Sequence, residues 1–530
     1  MGSSGWDTTV VERGAVTRGG HRRGSEPTAV SGGQSVDDSP AQRLGMSLAL
    51  LAIFAGALLL RLHNLEQWGL WDDELFTVRW ALSPFNILGW QPLGWVPHRI
   101  AFELAGVDVA SLDPEQIWTW RAAGITEWTM RAPVALLGAL TIFVLWFVSR
   151  RTLGTQPTLW LCLLLALSPW HLWMSQVSRL YMQLFLLYNL ALLLYYQATM
   201  DGSFARAAGA MACLVLAFYT SQIALMIVAV FGVDIAVSWL RRRPTGMRPA
   251  FWAMGIAAVA ICLVAVLRMS GAGAEEIALR IQRYAHFKGT PQSIEVMTMG
   301  MIYLIGVPMV VMAALGFWAL FQRNQRLAIL LAAASVVPLA VFIGFNLLGK
   351  DTHVRYTFVA LFAWLALAAV GIEVTVAALR PPWGKVVSAL PGLALLATFA
   401  LADYIYMTGG AGYRPLWPEA MSYIETHRRP GELLGGDWAA HRLIQYYLGE
   451  SDAVLLPHGF SDDDMRELVP RPAWILLQAH HPSSGDRTEQ LSSAGVLQAY
   501  FSNRVAQPSH TINVYYYAPP RPRELGSTHP

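Results

Sequence analysis

The chain has 530 residues, of which 55% are hydrophobic and 14% charged, and its mean hydropathy is +0.40. These values are typical of a polytopic membrane protein and argue against a soluble enzyme with one large core. The net charge of +3 is small and dispersed, so nucleic acid is not an expected partner. All three cysteines lie in apolar runs, which argues against disulfides and thiolate metal sites.

Residues 1–43 are rich in Gly, Ser, Arg and Thr, and we predict a disordered cytoplasmic tail there. The first apolar run begins far from Met1 and lacks a small-residue cleavage site, so we expect it to be retained as a span. Residues 44–405 are predicted to form a transmembrane domain with about eleven helices. The spans lie near 46–62, 133–149, 158–174, 180–198, 205–219, 222–240, 250–268, 297–320, 327–348, 356–377 and 385–404.

Basic residues decide the predicted orientation. With eleven spans they fall in alternate short loops, which the positive-inside rule places in the cytoplasm. The N-terminus is then cytoplasmic and the C-terminus extracytoplasmic. The alternative is one kinked span over 205–240, which would reverse everything downstream. The basic positions are Arg150-Arg151, Arg206, Arg241-Arg242-Arg243 with Arg248, Arg323 with Arg326, and Arg380 with Lys385.

The first outer loop, about 63–132, is long and carries its own helix signals. Ser83-Pro84 and Asp113-Pro114 each place a capping side chain before proline, which predicts two helix starts. The tryptophans after Asp113 predict a helix in the membrane interface. They are Trp118, Trp120 and Trp128.

The same loop carries three consecutive carboxylates, Asp72-Asp73-Glu74, just beyond the first span. Each ionised carboxylate would cost roughly 2.5–3.5 kcal/mol in hydrocarbon, so the group needs solvent or a function. A solvated acidic loop is the alternative interpretation.

Later outer loops carry cations. Gln176, Arg179 and Gln183 are spaced to share one helical face, where the arginine either lines a wet cavity or extends to the interface. Segments around Arg283 and Arg355 bring further positive charge to the same side, against the positive-inside bias. This pattern predicts an anion bound outside, although Lys350 and Asp351 could simply neutralise each other.

Residues 406–530 are predicted to form a small extracytoplasmic α/β domain. Helices are predicted over 418–427 and 438–448, and strands over 474–478 and 512–517. The domain contains no catalytic motif, and its acidic triplet at 462–464 is predicted to be a helix cap.

The order of these segments resembles the C-type polyprenyl-phosphate-dependent glycosyltransferases, in the branch of protein O-mannosyltransferases and lipid A aminoarabinose transferases. The resemblance covers about residues 46–200, with a weaker match late in the chain. It rests on Arg61 after an apolar helix, Trp71 to Glu74 with Thr77, Arg131-Ala132-Pro133, the segment from Ser175 to Tyr181, and His353-Val354-Arg355-Tyr356.

The resemblance implies a hexosyl- or pentosyltransferase that uses a sugar on a polyprenyl phosphate and an extracytoplasmic acceptor in the cell envelope. It implies a catalytic aspartate at Asp73 with Glu74 beside it, and a basic site for the donor phosphate. We expect no metal and no cofactor. The candidate phosphate ligands are Arg179, Arg355 and Arg283, and the candidate substrate-lining residues are Arg61, Tyr181 and His98.

The chemistry agrees with these residue types. Cations can neutralise a leaving lipid phosphate, and a carboxylate can take the proton from an acceptor hydroxyl, which favours inversion through one base. The sequence departs from many bacterial members, which carry His-Pro-Pro-Leu where this chain has Gly94 to Arg99. The competing hypotheses are a transporter or lipid flippase, for which Asp234 and Glu373 lie too near the cytoplasmic ends, and a membrane scaffold.

Overall fold

The computed structural model describes the following residues: 40–87, 91–241, 248–269, 305–349, 352–409, 412, 414–456, 467–478, 496–502 and 511–518. The chain divides into two units, 1–49 and 50–530. The described part of the first unit, 40–49, is the beginning of one helix. Predictions for the N-terminal tail up to residue 39, for Arg283, for Lys350 and Asp351, and for the triplet at 462–464 lie outside the described residues.

Fourteen α-helical segments occupy the described part of the chain up to residue 408, and the last of them is two helices joined at a kink, where Gly384 has a φ of 76°. They are α1 (Pro40–Leu62), α2 (Asp72–Leu82), α3 (Val96–Leu104), α4 (Ile117–Trp120), α5 (Glu127–Leu153), α6 (Thr155–Leu167), α7 (Pro169–Ser175), α8 (Tyr181–Asp201), α9 (Phe204–Thr220), α10 (Met226–Leu240), α11 (Pro249–Met269), α12 (Val307–Arg323), α13 (Gln325–Leu347) and α14 (Leu361–Thr408). Short 3₁₀ helices cover Pro92–Gly94, Gln222–Leu225 and Val354–Ala360.

Helices overlap all eleven predicted spans. Long apolar runs adopt this form because a helix satisfies its own backbone N–H and C=O groups where water is absent. Among the described residues, six helical segments are long and apolar enough to cross a membrane, or seven if α6 and α7, bent by 58°, form one span. Three further apolar helices are shorter. The chain is a polytopic helical protein, and the count of eleven spans stays a prediction.

The stretch 205–240, for which the alternative was one kinked span, forms two helices, as predicted. α9 ends at Thr220, and the Ser221 hydroxyl accepts a hydrogen bond from the Ile223 N–H (3.4 Å) at the start of the next turn. This serine cap interrupts the helix.

Both predicted helix starts in the first loop are wrong in detail. Ser83 is instead the C-terminal cap of α2, where its N–H and its hydroxyl both donate to the Arg79 carbonyl, and Pro84 has no N–H with which to continue the helix. Asp113 accepts from the Glu115 N–H (2.8 Å) and stabilises only a turn before the single-turn helix α4. The Trp120 side chain is completely buried against the protein, whereas Trp128 is 40% exposed, and the helix in the membrane interface stays a prediction.

The chain between α7 and α8 also differs from the prediction. Residues 176–180 are not helical, because the Ser178 N–H donates to the buried carboxylate of Glu74 (2.8 Å), far away in sequence. A backbone group used in such a bond cannot continue a helix. The shared helical face predicted here is therefore wrong for Gln176, Arg179 and Gln183.

The C-terminal part contains α15 (Trp417–His427), α16 (Trp438–Leu448) and a five-stranded sheet. Both helices and two strands were predicted correctly to within a residue. The strand order is β2-β1-β3-β5-β4, with β1 parallel to β2 and β3, and β5 antiparallel to β3 and β4. The strands are β1 (Leu433–Gly436), β2 (Val454–Leu455), β3 (Ala473–Gln478), β4 (Val496–Phe501) and β5 (Ile512–Tyr517).

Helix α16 packs against the loop that carries the acidic triplet. The Tyr447 hydroxyl accepts from the Leu70 N–H (3.0 Å), and the Tyr446 hydroxyl donates to the Ile125 carbonyl (3.0 Å). Phe76 of α2 lies 5.3 Å from the ring of Trp438. The C-terminal part therefore fixes the backbone on both sides of the candidate site.

Candidate active site

The acidic triplet forms the first turn of α2, where the unpaired N–H groups and the helix dipole favour negative charge. The Glu74 carboxylate accepts from the Trp71 N–H (3.0 Å) and so caps this turn. Adjacent side chains on a helix diverge by about 100°, so Asp73 and Glu74 face different surroundings.

Glu74 is completely buried. Arg131, also completely buried, binds both of its carboxylate oxygens, from Nε to Oε1 (2.9 Å) and from Nη2 to Oε2 (2.8 Å). The remaining N–H groups of Arg131 donate to carbonyls at Leu65, Trp68 and Gly69. This bidentate pair thus holds the loop before α2 against the start of α5.

Arg414 is a second cation at this carboxylate. Its Nε lies 3.8 Å from Oε2 of Glu74, its Nη2 donates to the Gln176 carbonyl, and its guanidinium lies 5.4 Å from the centre of the Trp68 ring. Burial raises the pKa of Glu74, but the charges of Arg131 and Arg414 outweigh burial and lower it. We call Glu74, Arg131, Ser178 and Arg414 the Glu74 cluster.

Asp73 lies on the accessible side of the same turn, with 23% of its side chain exposed. Its Oδ2 is 2.6 Å from Nη1 of Arg355, and its carbonyl accepts from Nη1 of Arg179 (2.9 Å). Burial raises the pKa of Asp73, but Arg355 and Arg179 outweigh it and lower the pKa to about 2. Asp73 is therefore an ionised carboxylate between two arginines.

Both arginines keep N–H groups available. Within the described part of the chain, neither the Nε of Arg179 nor that of Arg355 has a hydrogen-bond partner, although both atoms are buried. Unpaired buried donors are costly and mark places that suit an acceptor. Arg179 also lies 5.6 Å from the centre of the Trp95 ring. Tyr181, which is 5% exposed, acts electrostatically on Arg355.

His98 is 1% exposed, and neither of its ring nitrogens has a partner among the described residues. Burial and the charge of Arg179 lower its pKa to about 3, so the ring is neutral at physiological pH. A neutral imidazole offers one donor and one acceptor. The charges of Arg179 and Glu74 both act on His98, which places it at the same site.

Arg61 has different surroundings. It is completely buried, and all five of its N–H groups are used at the junction of α1, α6 and α7. They bind the carbonyls of Ala57, Ala166 and Leu165 (2.9–3.2 Å), the Ser175 hydroxyl (3.2 Å) and Nδ1 of His171 (2.7 Å). The structure thus places Arg61 in a packing junction.

The structure brings most of the predicted site together, with two additions. Arg131 was part of a recognised motif but had no assigned role, and its position two residues before Pro133 was the available signal. Arg414 lies in Tyr413-Arg414-Pro415 at the end of the last span and carries no motif. Within the described residues, no group of three or more His, Cys, Asp or Glu side chains is arranged to hold a metal ion. The residues brought together are Asp73, Glu74, Arg179, Arg355, Tyr181 and His98.

Comparison with known proteins identifies the fold. No known family profile matches the sequence, and no curated protein matches it. Two crystal structures of ArnT from Cupriavidus metallidurans are similar. The apo form has 15% identity and a TM-score of 0.55 over 90% of this chain and 98% of that one. The form bound to undecaprenyl phosphate has 16% sequence identity and a TM-score of 0.51, and the alignment covers 89% of this chain and 98% of that one. The chain therefore has the fold of these ArnT structures, which agrees with the family that its motifs resemble.

Proposed function

We propose that this protein is a membrane glycosyltransferase that moves a sugar from a polyprenyl phosphate to an extracytoplasmic acceptor, with inversion and with Asp73 as general base. The observation that carries the proposal is the ionised Asp73 between Arg355 and Arg179, each of which has an unpaired buried Nε among the described residues. The bound lipid in the similar ArnT structure supports a polyprenyl phosphate as the donor.

The arrangement separates two chemical tasks. Arg179 and Arg355 neutralise the charge that develops on the departing lipid phosphate, so no general acid is needed. Asp73 accepts the proton of the acceptor hydroxyl as that oxygen attacks the anomeric carbon. The bond to phosphate breaks on the opposite face, and inversion follows from the single displacement.

Arg355 links the two tasks. While it pairs with Asp73, the low pKa makes this carboxylate a weak base. A donor phosphate that takes hydrogen bonds from Arg355 weakens its hold on Asp73 and so raises the basicity of the carboxylate. Donor binding thereby activates the base before the acceptor reacts.

The remaining residues act around this centre. We propose that Glu74 positions Asp73 through the Glu74 cluster, and that neutral His98 orients the acceptor with Tyr181 nearby. Arg61 stabilises the helix junction behind the site. Arg283 stays a candidate phosphate ligand on sequence alone.

The transporter hypothesis has less support. Asp234 is buried but is bound by Arg326 (2.7 Å) and by the Tyr195 hydroxyl (2.8 Å). Glu373 lies 3.7 Å from Arg323 and is partly exposed. Both acids thus have partners in helix packing, and neither marks an ion path through the described spans.

We expect Arg179→Gln and Arg355→Gln each to weaken donor binding by about ten- to a hundredfold, because a hydrogen bond to a charged group contributes about 1.5–3 kcal/mol. Donor affinity and single-turnover transfer would be measured on purified protein. Both changes should also raise the pKa of Asp73, and Arg355→Gln should raise it more, because Arg355 pairs with the carboxylate itself whereas Arg179 binds the Asp73 carbonyl.

Arg79→Gln is the matched control for these variants, because Arg79 lies on α2 but pairs with the exposed Glu115. It should bind donor normally. Unchanged affinity in both site variants would remove the two arginines from the donor site.

The topology is a separate prediction. The alternating basic loops place the N-terminus in the cytoplasm and residues 406–530 outside. A reporter fused after Pro530 should be active only outside the cytoplasm, and one fused before Met1 only inside. A cytoplasmic signal at Pro530 would contradict the eleven-span count.

A further inference from the structure

Asp403 lies near the end of α14, within Val387–Thr408, a segment long and apolar enough to cross a membrane. It is 4% exposed, and neither carboxylate oxygen has a hydrogen-bond partner among the described residues. Burial of such a group is costly, and an ionisable residue within a span usually serves a function. The mechanism above does not use Asp403.

Asp403 lines a cavity of about 530 Å³ formed by the ends of α1, α6 and α14. Most of the wall is apolar. Two basic groups lie near Asp403. Arg61 acts electrostatically on it, but the N–H groups of Arg61 are all used elsewhere. His63 lines the cavity and is exposed. Within the described part of the chain, the carboxylate therefore still lacks a donor. The apolar lining includes Leu59, Leu60, Leu167, Ala400 and Met407.

The bilayer is the natural source of an occupant. The candidate spans Leu44–Leu62 and Val387–Thr408, which supply most of the wall, have the smallest buried shares of the six, 17% and 28%. They therefore present most of their surface to lipid. Apolar walls suit a hydrocarbon chain, whereas the unpaired carboxylate suits a cation that carries N–H donors.

We propose that this cavity binds a membrane lipid with a primary ammonium head, with Asp403 as the hydrogen-bond acceptor.

One layer of packed side chains separates the cavity from the candidate active site. Leu60 and Met407 pack against a cluster that contains Trp68, and Arg414 of the Glu74 cluster lies over the same ring. A lipid bound here supports that layer from the membrane side.

The test is a binding titration of the delipidated, full-length protein in detergent, read by native mass spectrometry. Phosphatidylethanolamine should bind about tenfold more tightly than phosphatidylcholine, whose head is charged but has no N–H donor. Phosphatidylglycerol, which offers hydroxyls without positive charge, should bind no better than phosphatidylcholine. Asp403→Asn should abolish the preference, and Leu401→Asn, at a 61% exposed position on the same helix, should keep it.

Equal binding of the amine and choline lipids by the unmodified protein would overturn the proposal, as would a preference that persists in Asp403→Asn. Tight binding of phosphatidylglycerol would overturn the ammonium assignment.

A second measurement uses only the unmodified protein, so it does not require the Asp403→Asn variant to fold. A hydrophobic carbodiimide should label Asp403 in the unmodified protein, and phosphatidylethanolamine, but not phosphatidylcholine, should protect it. Equal labelling in both lipids would contradict the site. Neither measurement depends on transferase activity.

Discussion

Asp73→Asn is expected to slow sugar transfer by about 10²–10⁴-fold while the protein stays folded and binds donor. Asparagine keeps the size of the side chain and much of its hydrogen bonding but cannot accept the acceptor's proton, and loss of a general base typically has this effect. Transfer from a labelled polyprenyl-phosphate sugar, measured under single-turnover conditions, would give the rate.

Asp72→Asn is the matched control, because Asp72 is the adjacent carboxylate of the same turn and acts on Arg442 of α16. Its transfer rate should change little. If Asp72→Asn abolished transfer and Asp73→Asn did not, the base would be misassigned. If neither change mattered, the triplet would be the solvated loop of the alternative interpretation.

The low pKa of Asp73 also predicts a pH dependence. A carboxyl whose pKa falls from 3.8 to about 2 on folding stabilises the folded state above pH 3.8, and this contribution is lost as the pH falls through 2. In the resting protein, the carboxylate should therefore stay ionised throughout neutral and mildly acidic conditions. Infrared difference spectra of the carboxyl band, with Asp73→Asn as reference, would show protonation at or above pH 3.8 if the ion pair with Arg355 were absent, because burial alone raises the pKa.

Glu74→Gln is expected to have the largest effect on stability. It leaves Arg131 and Arg414 buried without the carboxylate that both face, and breaking a buried ion pair typically costs about 3–5 kcal/mol. The thermal unfolding temperature in detergent should fall sharply. Transfer activity should fall with it, because the Glu74 cluster holds the turn that carries Asp73.

The control for Glu74 is Glu115→Gln, which removes a carboxylate from an exposed pair with Arg79, where the expected cost is about 0–1 kcal/mol. A Glu74→Gln protein that unfolds at the normal temperature and only reacts slowly would contradict the positioning role. It would instead favour direct participation of Glu74 in catalysis.

Local patterns in the sequence were sufficient to predict many of the helices and some of the strands. The apolar runs predicted the helices, because a helix in hydrocarbon needs only its own backbone partners. α16 was predicted with its bounds because its apolar residues recur at helical spacing, and β5 because β-branched and aromatic residues dominate its sequence. The short strand β1 was missed because its sequence, Leu-Leu-Gly-Gly, carries no strand signal. A Cβ at Gly436 would lie 2.5 Å from the Leu476 carbonyl, a constraint visible only once β1 pairs with β3.

For the candidate site too, the sequence and the tertiary structure each decided different features. The sequence by itself determined that acids and arginines lie on loops of the same predicted face, and it separated Asp73 and Glu74 only through a family resemblance. The tertiary structure decided which acid is accessible, because Glu74 is enclosed by Arg131 and Arg414 whereas Asp73 is 23% exposed. It also decided that the helical conformation is interrupted after α7, because the Ser178 N–H donates to the Glu74 carboxylate. The arginine partners of Glu74 lie 57 and 340 residues away along the chain, so no periodic pattern in the sequence reveals them. A buried charge pairs with the opposite charge that helix packing brings within hydrogen-bond distance.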